Sequence, residues 1–231
     1  MSSQKRRRPS RRRRRNRTQR ALLAVAVVLA GALAVTLVRR SRAAGKDTAL
    51  PGWGVELPAY VEQDLLPAND YSRPGTPLES IRGVVIHYVG NPAATAHANR
   101  DYFASLASGR EETYASSHFV VGLEGEVVQC IPLTEIAYAS KERNADTVAI
   151  EVCHPDAEGQ FSPVTYERCV ELTAWLCRTF DLDPEQDVIR HYDVTGKLCP
   201  LYYVEHPEAW NALRADVAAE MARQAEAERA S

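Results

Sequence analysis

The chain has 231 residues, of which 45% are hydrophobic and 25% charged, which is enough for one sizeable domain plus an appendage. Its near-neutral net charge of −2 conceals an asymmetry: residues 1–46 hold 15 Lys/Arg and no acidic residue, leaving 13 basic against 30 acidic residues for the remainder. So acidic a remainder argues against a nucleic-acid-binding protein, because DNA and RNA recruit basic surfaces.

The N-terminal part reads as a basic cytoplasmic tail, residues 1–20, followed by a transmembrane anchor, residues 21–38. The anchor, "ALLAVAVVLAGALAVTLV", has 18 uncharged residues, roughly the minimum for a membrane span at about 1.5 Å per residue. Eleven basic residues precede it and four follow before the first acidic residue. This bias places the N-terminus in the cytoplasm and the rest of the chain outside the cell. We therefore expect a single-pass protein of the cell membrane.

A cleaved signal peptide, and hence secretion, is the alternative for this segment. The apolar core of a signal peptide is typically only about 7–15 residues and is followed by a small-residue cleavage site. Here Arg39 and Arg40 follow the apolar run instead, which favours an uncleaved anchor.

Beyond the anchor, residues 39–79 are rich in Pro, Gly and Ala with little periodicity, which predicts a stalk and an extended lead-in. The functional domain is predicted at 80–215, and 216–231 as the end of the C-terminal helix and a tail.

Within the domain, apolar runs predict strands and helical spacing predicts helices. In chain order they are a buried strand at Ile81–Gly90, a helix at Ala94–Ser108, a hairpin in "SHFVVGLEGEVVQCIP", a buried strand at Asp146–Asp156, a helix near Pro163–Phe180 and a last helix from Pro207. The hairpin supplies antiparallel pairs and the helices cover the faces. The fold class is α/β, a central mixed β-sheet flanked by helices.

Two histidines and a cysteine form a candidate metal site. His87 ends the first strand, His191 follows the short apolar run "DVI", and Cys199 lies eight residues further on in a loop with Gly and Pro. Two imidazoles and a thiolate are good Zn²⁺ ligands, and three protein ligands leave one position open, as in catalytic zinc sites. Cys130 and Cys153 lie on predicted strands and could be neighbours, whereas Cys169 and Cys177 belong to the apolar face of one helix.

Four segments in this order, "VVIHYVGNP", "SSHFVV", "AIEVCHPD" and "RHYDVTGKLCP", resemble the zinc-dependent N-acetylmuramoyl-L-alanine amidases of the amidase-2 type, in the phage-lysozyme and peptidoglycan-recognition-protein superfamily. The resemblance covers roughly 80–212. It implies an α/β domain that cleaves the amide between N-acetylmuramic acid and L-alanine in peptidoglycan, with Zn²⁺ held by His87, His191 and Cys199. Export across the membrane agrees with a wall substrate.

The resemblance also assigns the catalytic groups. Lys197, two residues from Cys199, matches the family's lysine, and a cation there would stabilise the oxyanion of amide hydrolysis. Some members use as base a tyrosine just before the "HF" strand, where this chain has Ser117; others use a glutamate on the strand after the hairpin, here Glu151. His118 either lines the substrate groove or makes a structural hydrogen bond.

Two alternatives remain at this point. One is a peptidoglycan receptor that keeps the groove without catalysis, although the full set of ligands and Glu151 argues against it. The other is a zinc hydrolase with another amide substrate.

Overall fold

The computed structural model describes residues 54–230, so the predicted basic tail and membrane anchor lie outside the described residues. The described strands are β1 Val61–Gln63, β2 Val84–Tyr88, β3 Phe119–Val121, β4 Val127–Gln129, β5 Val148–Val152 and β6 Val188–Arg190. The described α-helices are α1 Ala96–Ser105, α2 Pro163–Phe180, α3 Pro184–Asp187, α4 His191–Thr195, α5 Leu201–Glu205 and α6 Pro207–Ala230. Short 3₁₀ helices occupy Leu106–Ser108 and Lys141–Ala145.

The strands form one mixed sheet in the order β1-β4-β3-β5-β2-β6. The predicted hairpin is β3–β4, the antiparallel pair, and the other neighbours are parallel. Gly125 has φ +80° in the turn between them, a conformation that glycine adopts without steric cost. The predicted α/β class with a central mixed sheet flanked by helices is therefore confirmed.

Helix α2 has the bounds that its sequence predicts. The Ser162 hydroxyl accepts a hydrogen bond from the Thr165 amide at the N-terminus, and Pro163 occupies the first turn. Asp181, in the left-handed conformation, ends the helix. The side of α2 that packs against the sheet is apolar, and it includes the fully buried residues Leu172 and Leu176.

The larger core lies between the sheet and helices α2 and α6. Because side chains alternate along a strand, Val148, Ile150 and Val152 of β5 point into this core. A smaller core on the other face of the sheet contains Val120 from β3 and Phe103 from α1. The residues of β2 and β5 that alternate with these core residues therefore point toward the second face of the sheet.

The domain begins earlier than the predicted boundary at residue 80. Strand β1 pairs with β4 at the edge of the sheet, and Leu66 and Leu78 are completely buried. The Arg73 guanidinium binds the Glu135 carboxylate with hydrogen bonds of 2.7 and 2.8 Å. Strand β1 has only three residues and lies within an irregular segment, so the sequence shows no periodicity from which it could be predicted. Residues 54–79 thus belong to the domain, not to a stalk.

The C-terminal helix continues past residue 215, as expected, and α6 runs without a break from Pro207 to Ala230. Trp210, Leu213 and Val217 are buried, as the helical spacing predicts. Among the described residues, none of the helices is both long and apolar enough to cross a membrane.

Candidate metal centre

Strands β2 and β5 bring together His87, a ligand candidate, and Glu151, the candidate base. They pair in parallel with His87 directly opposite Glu151. Both residues point away from the larger core, toward the second face of the sheet. His87 is only 2% exposed, and its Nδ1 lies 3.9 Å from Glu151 Oε1.

Helix α4 and the loop after it supply the other two ligand candidates. His191 is the first residue of α4, which begins where β6 ends beside β2. Gly196 has φ +76° and stops the helix after five residues. The Tyr192 amide then donates a 2.9 Å hydrogen bond to the carbonyl of Cys199, which folds the loop back on the helix. This turn places Cys199 next to His191.

The three predicted ligands form one cluster, in which their donor atoms all lie within 4.8 Å of one another. The rings of His87 and His191 are 4.6 Å apart between centroids, and Cys199 Sγ is 3.9 Å from His87 Nδ1. His191 Nδ1 is buried without a hydrogen-bond partner among the described residues. Two imidazole nitrogens and a sulfur at this separation fit a zinc ion, and an unpaired buried nitrogen is the atom that such an ion would satisfy.

A serine holds His87 in the orientation that this cluster needs. Ser140 Oγ, fully buried, lies 3.2 Å from His87 Nε2, so that Nδ1 faces Cys199. Asn144 fixes the serine, because its Oδ1 accepts hydrogen bonds from the amides of Ala139 (3.1 Å) and Ser140 (2.5 Å). Sequence reasoning missed Ser140 and Asn144, since nothing in "YASKERNA" marks a contact with a histidine more than fifty residues earlier.

Burial dominates the electrostatics of the cluster. It lowers the pKa of His87 well below its usual range, helped by the positive charges of His191 and Lys197. Burial, followed by the charge of Lys197, also lowers the pKa of His191. Neutral imidazoles offer the lone pairs that metals bind. Burial raises the pKa of the Cys199 thiol to about 12, so its coordination to a metal would release a proton.

Glu151 and Lys197 line the same cavity as the three ligand candidates, and its volume is about 440 Å³. Glu151 Oε2 is buried and has no hydrogen-bond partner among the described residues. Burial raises the pKa of this carboxyl to about 8, and the charge of Lys197 opposes the rise. A cluster of metal-ligand type, a carboxyl whose pKa is raised by burial and a lysine therefore share one cavity.

His118 does not reach the cavity, which corrects the predicted role in substrate binding. Its Nδ1 accepts a 3.0 Å hydrogen bond from the Ala149 amide, and its Nε2 lies 3.0 Å from the carbonyl of Glu135. Both ring nitrogens are used inside the protein, and the side chain is 1% exposed. The structural hydrogen bond, the other expectation for this histidine, is what the structure contains.

Ser117 is likewise internal. Its hydroxyl lies 2.9 Å from each of the carbonyls of Phe119 and Ala149, and it is fully buried. It therefore offers no group to the cavity at the position where some amidases carry a tyrosine. All five cysteines are free, so Cys130 and Cys153 form no disulfide.

Comparison with known proteins agrees with this geometry. Residues 77–201 match the sequence model of the family described as N-acetylmuramoyl-L-alanine amidase. The chain is 33% identical over 176 residues to the N-acetylmuramoyl-L-alanine amidase BlyA of Bacillus subtilis (strain 168), covering 68% of this chain and 46% of that protein. It is 31% identical over 156 residues to the N-acetylmuramoyl-L-alanine amidase CwlL of Bacillus licheniformis, covering 62% of this chain and 42% of that protein. The chain thus spans less than half the length of these relatives.

Solved structures share the fold. The catalytic domain of XlyA superposes with a TM-score of 0.56 at 24% identity, covering 68% of this chain and 98% of that one. The catalytic domain of PlyG gives a TM-score of 0.57 at 20% identity, covering 70% and 94% of the two chains.

Proposed function

Because this chain belongs to the N-acetylmuramoyl-L-alanine amidase family, we propose that it is a zinc-dependent peptidoglycan hydrolase that cleaves the amide between N-acetylmuramic acid and L-alanine. The observation that carries the proposal is the single cavity that holds His87, His191 and Cys199 beside Glu151 and Lys197. The first three residues would hold the zinc ion. When bound, zinc supplies a Lewis acid that polarises an amide carbonyl and makes water more acidic.

Glu151 moves the proton. Its carboxylate takes a proton from the water whose oxygen bonds to the carbonyl carbon. It then passes that proton to the nitrogen of L-alanine, so that the C–N bond breaks and leaves a free amine and a carboxylic acid on the lactyl group. A raised pKa suits both halves of this transfer, because an acid–base catalyst works best when its pKa lies near the working pH. The buried Oε2, which has no partner among the described residues, is free to accept that proton.

Lys197 stabilises the charge that develops on the carbonyl oxygen. Lys197 is exposed and lines the cavity, and its charge acts on His87, His191 and Glu151, whose pKa values are set first by burial. A cation beside the cavity stabilises the oxyanion by electrostatic attraction.

The test is to incubate the purified full-length chain with peptidoglycan, with and without Zn²⁺, and to measure new L-alanine amino termini. Zinc-dependent release is expected. Release of reducing sugars without new amino termini would refute the proposal. Binding to peptidoglycan without any cleavage would favour the receptor alternative, and cleavage of other amides alone would favour a different substrate.

We also propose that residues 21–38 anchor the enzyme in the cell membrane, with the N-terminus in the cytoplasm and the catalytic domain outside. The apolar run and the excess of basic residues before it support this orientation. Protease added to intact cells should digest the domain and spare a tag at Met1. A released form that begins after the apolar run would instead support a cleaved signal.

A further inference from the structure

Three tyrosines form an aromatic cluster at the edge of the catalytic cavity. Tyr114 and Tyr138 line the cavity, and Tyr71 packs behind Tyr114. We call Tyr71, Tyr114 and Tyr138 the aromatic platform. Tyr114 is 58% exposed, although its two partners shield part of the ring. An exposed aromatic side chain that lines a cavity of this kind is a candidate contact for the substrate.

Ring contacts and backbone hydrogen bonds hold the platform in position. Tyr71 stacks on Tyr114 with centroids 5.1 Å apart and an angle of 29°, and Tyr138 meets Tyr114 edge-on at 5.6 Å and 88°. Gly109 supports Tyr71 from behind, since a Cβ at Gly109 would lie only 2.7 Å from the Tyr71 hydroxyl oxygen. The Ala115 amide donates a 3.2 Å hydrogen bond to the carbonyl of Tyr71. A ring held in this way loses little conformational freedom on binding.

Backbone contacts also fix Tyr138. The Ser116 amide donates a 3.1 Å hydrogen bond to the carbonyl of Tyr138, whose own amide donates to Ser116 Oγ at 2.9 Å. The segment that contains Tyr138 continues directly to Ser140, the partner of His87. Tyr138 is therefore separated by one residue from the serine that contacts His87.

Charge indicates which part of the substrate meets the platform. The substrate has two arms at the cleaved amide: a neutral pyranose ring and a stem peptide that carries carboxylates. The exposed segment before Tyr114 contains Glu111 and Glu112 against one cation, Arg110, and its net negative charge disfavours an anionic ligand there. Lys197 reaches the cavity from the β6 side, whereas Tyr114 precedes β3, and these strands lie on opposite sides of the β5–β2 pair.

We propose that Tyr114 binds the pyranose ring of the muramoyl group by stacking against its C–H face, while the stem peptide extends toward Lys197. The proposal rests on the amidase function proposed above and adds to it a subsite for the sugar. Tyr114 contributes binding, so its loss raises KM and leaves kcat largely unchanged. The contribution of the ring depends on its aromatic face and not on its hydroxyl group.

The experiment compares two substrates with the same cleaved amide: an N-acetylmuramoyl peptide and the corresponding D-lactoyl peptide, which lacks the pyranose ring. For Tyr114→Ala, KM on the muramoyl peptide should rise about 3- to 10-fold, the size of an aromatic contact. KM on the lactoyl peptide should not change. Tyr114→Phe and Tyr114→Trp should keep the wild-type KM on both substrates.

The matched control is Tyr102→Ala, because Tyr102 is 42% exposed but does not line the cavity. It should behave as wild type on both substrates. An equal rise in KM on both substrates for Tyr114→Ala, or no rise on either, would overturn the proposal. Thermal unfolding of each variant checks that the fold is intact.

A second readout separates this proposal from the proposed activity. Titration of the full-length chain with the free N-acetylglucosaminyl–N-acetylmuramic acid disaccharide, followed by NMR, measures sugar binding without hydrolysis. Binding that Tyr114→Ala weakens supports the platform even if the wild type cleaves neither substrate. Unchanged or undetectable binding in both wild type and variant overturns it, even if the amidase activity is present.

Discussion

Replacing Glu151 with glutamine separates the catalytic role of this carboxyl from its effect on stability. The change keeps the size of the side chain and removes its basicity. Turnover should fall by about 10²–10⁴-fold, the range for loss of a general acid–base group, while zinc content stays at the wild-type level. Near-normal turnover with zinc bound would refute the assignment of Glu151 as the base.

The same substitution should stabilise the zinc-free protein at neutral pH. Burial raises the pKa of Glu151 from 4.5 to about 8 in the folded state. Below pH 4.5 the carboxyl is protonated in both the folded and the unfolded chain, so it has no effect on the free energy of unfolding. As the pH rises from 4.5 toward 8, the Glu151 carboxyl ionises in the unfolded chain but not in the folded one. The free energy of unfolding therefore falls by about 1.4 kcal/mol per pH unit.

At pH 7 this cost amounts to about 3 kcal/mol as an upper limit. The buried amide has unmet hydrogen bonds that cost at least about 1 kcal/mol, so a net gain of up to about 2 kcal/mol in the free energy of unfolding is expected for Glu151→Gln. Urea unfolding of chelator-treated protein at pH 4.5 and pH 7 measures this change in the free energy of unfolding. The control is Glu167→Gln, because Glu167 is an exposed glutamate on α2. A variant that is destabilised equally at both pH values would refute the electrostatic argument.

Three further predictions concern other residues. Lys197→Met should lower turnover by about 10²–10³-fold without loss of zinc, as for one oxyanion donor, and unchanged turnover would contradict its role. Ser140→Ala should weaken zinc binding by about 10-fold in chelator competition, because His87 loses its orienting hydrogen bond. Burial lowers the pKa of His118 to about 4, so its contribution to stability is complete above pH 6.5 and is lost as the pH falls from 6.5 to 4, by up to about 3 kcal/mol. His118→Gln, neutral throughout, should flatten this part of the stability profile in urea unfolding, and an unchanged profile would contradict the argument.

Local signals predicted the long helices, the apolar strands β2 and β5 and the hairpin β3–β4, but not the other short elements. Helix α2 has a capping serine, a first-turn proline and a sustained apolar face, all of which can be read from consecutive residues. Strand β1 and helices α4 and α5 have only three to five residues, so no periodicity can develop within them. Their existence depends on tertiary contacts, such as the pairing of Val61 with Val127.

The site followed the same division. The ligand types could be predicted because His, His and Cys carry their chemistry in their identity, and the resemblance gave their order. The register that sets His87 opposite Glu151 depends on strand pairing between residues 64 positions apart in the chain. His118 was ambiguous because a histidine before a strand has the same sequence signature whether it faces a cavity or a backbone carbonyl.

Alternation along β2 and β5 explains how one pair of strands serves both stability and chemistry. Ile86 and Ile150 point into the larger core against α2 and α6 and are completely buried, whereas His87 and Glu151, one residue further, face the cavity. The cavity face holds two buried polar atoms without partners among the described residues, on Glu151 and His191. Each such atom costs about 1–3 kcal/mol. Burial of the apolar face offsets that cost, so substitutions on the cavity face can remove activity while they leave the fold intact or even more stable.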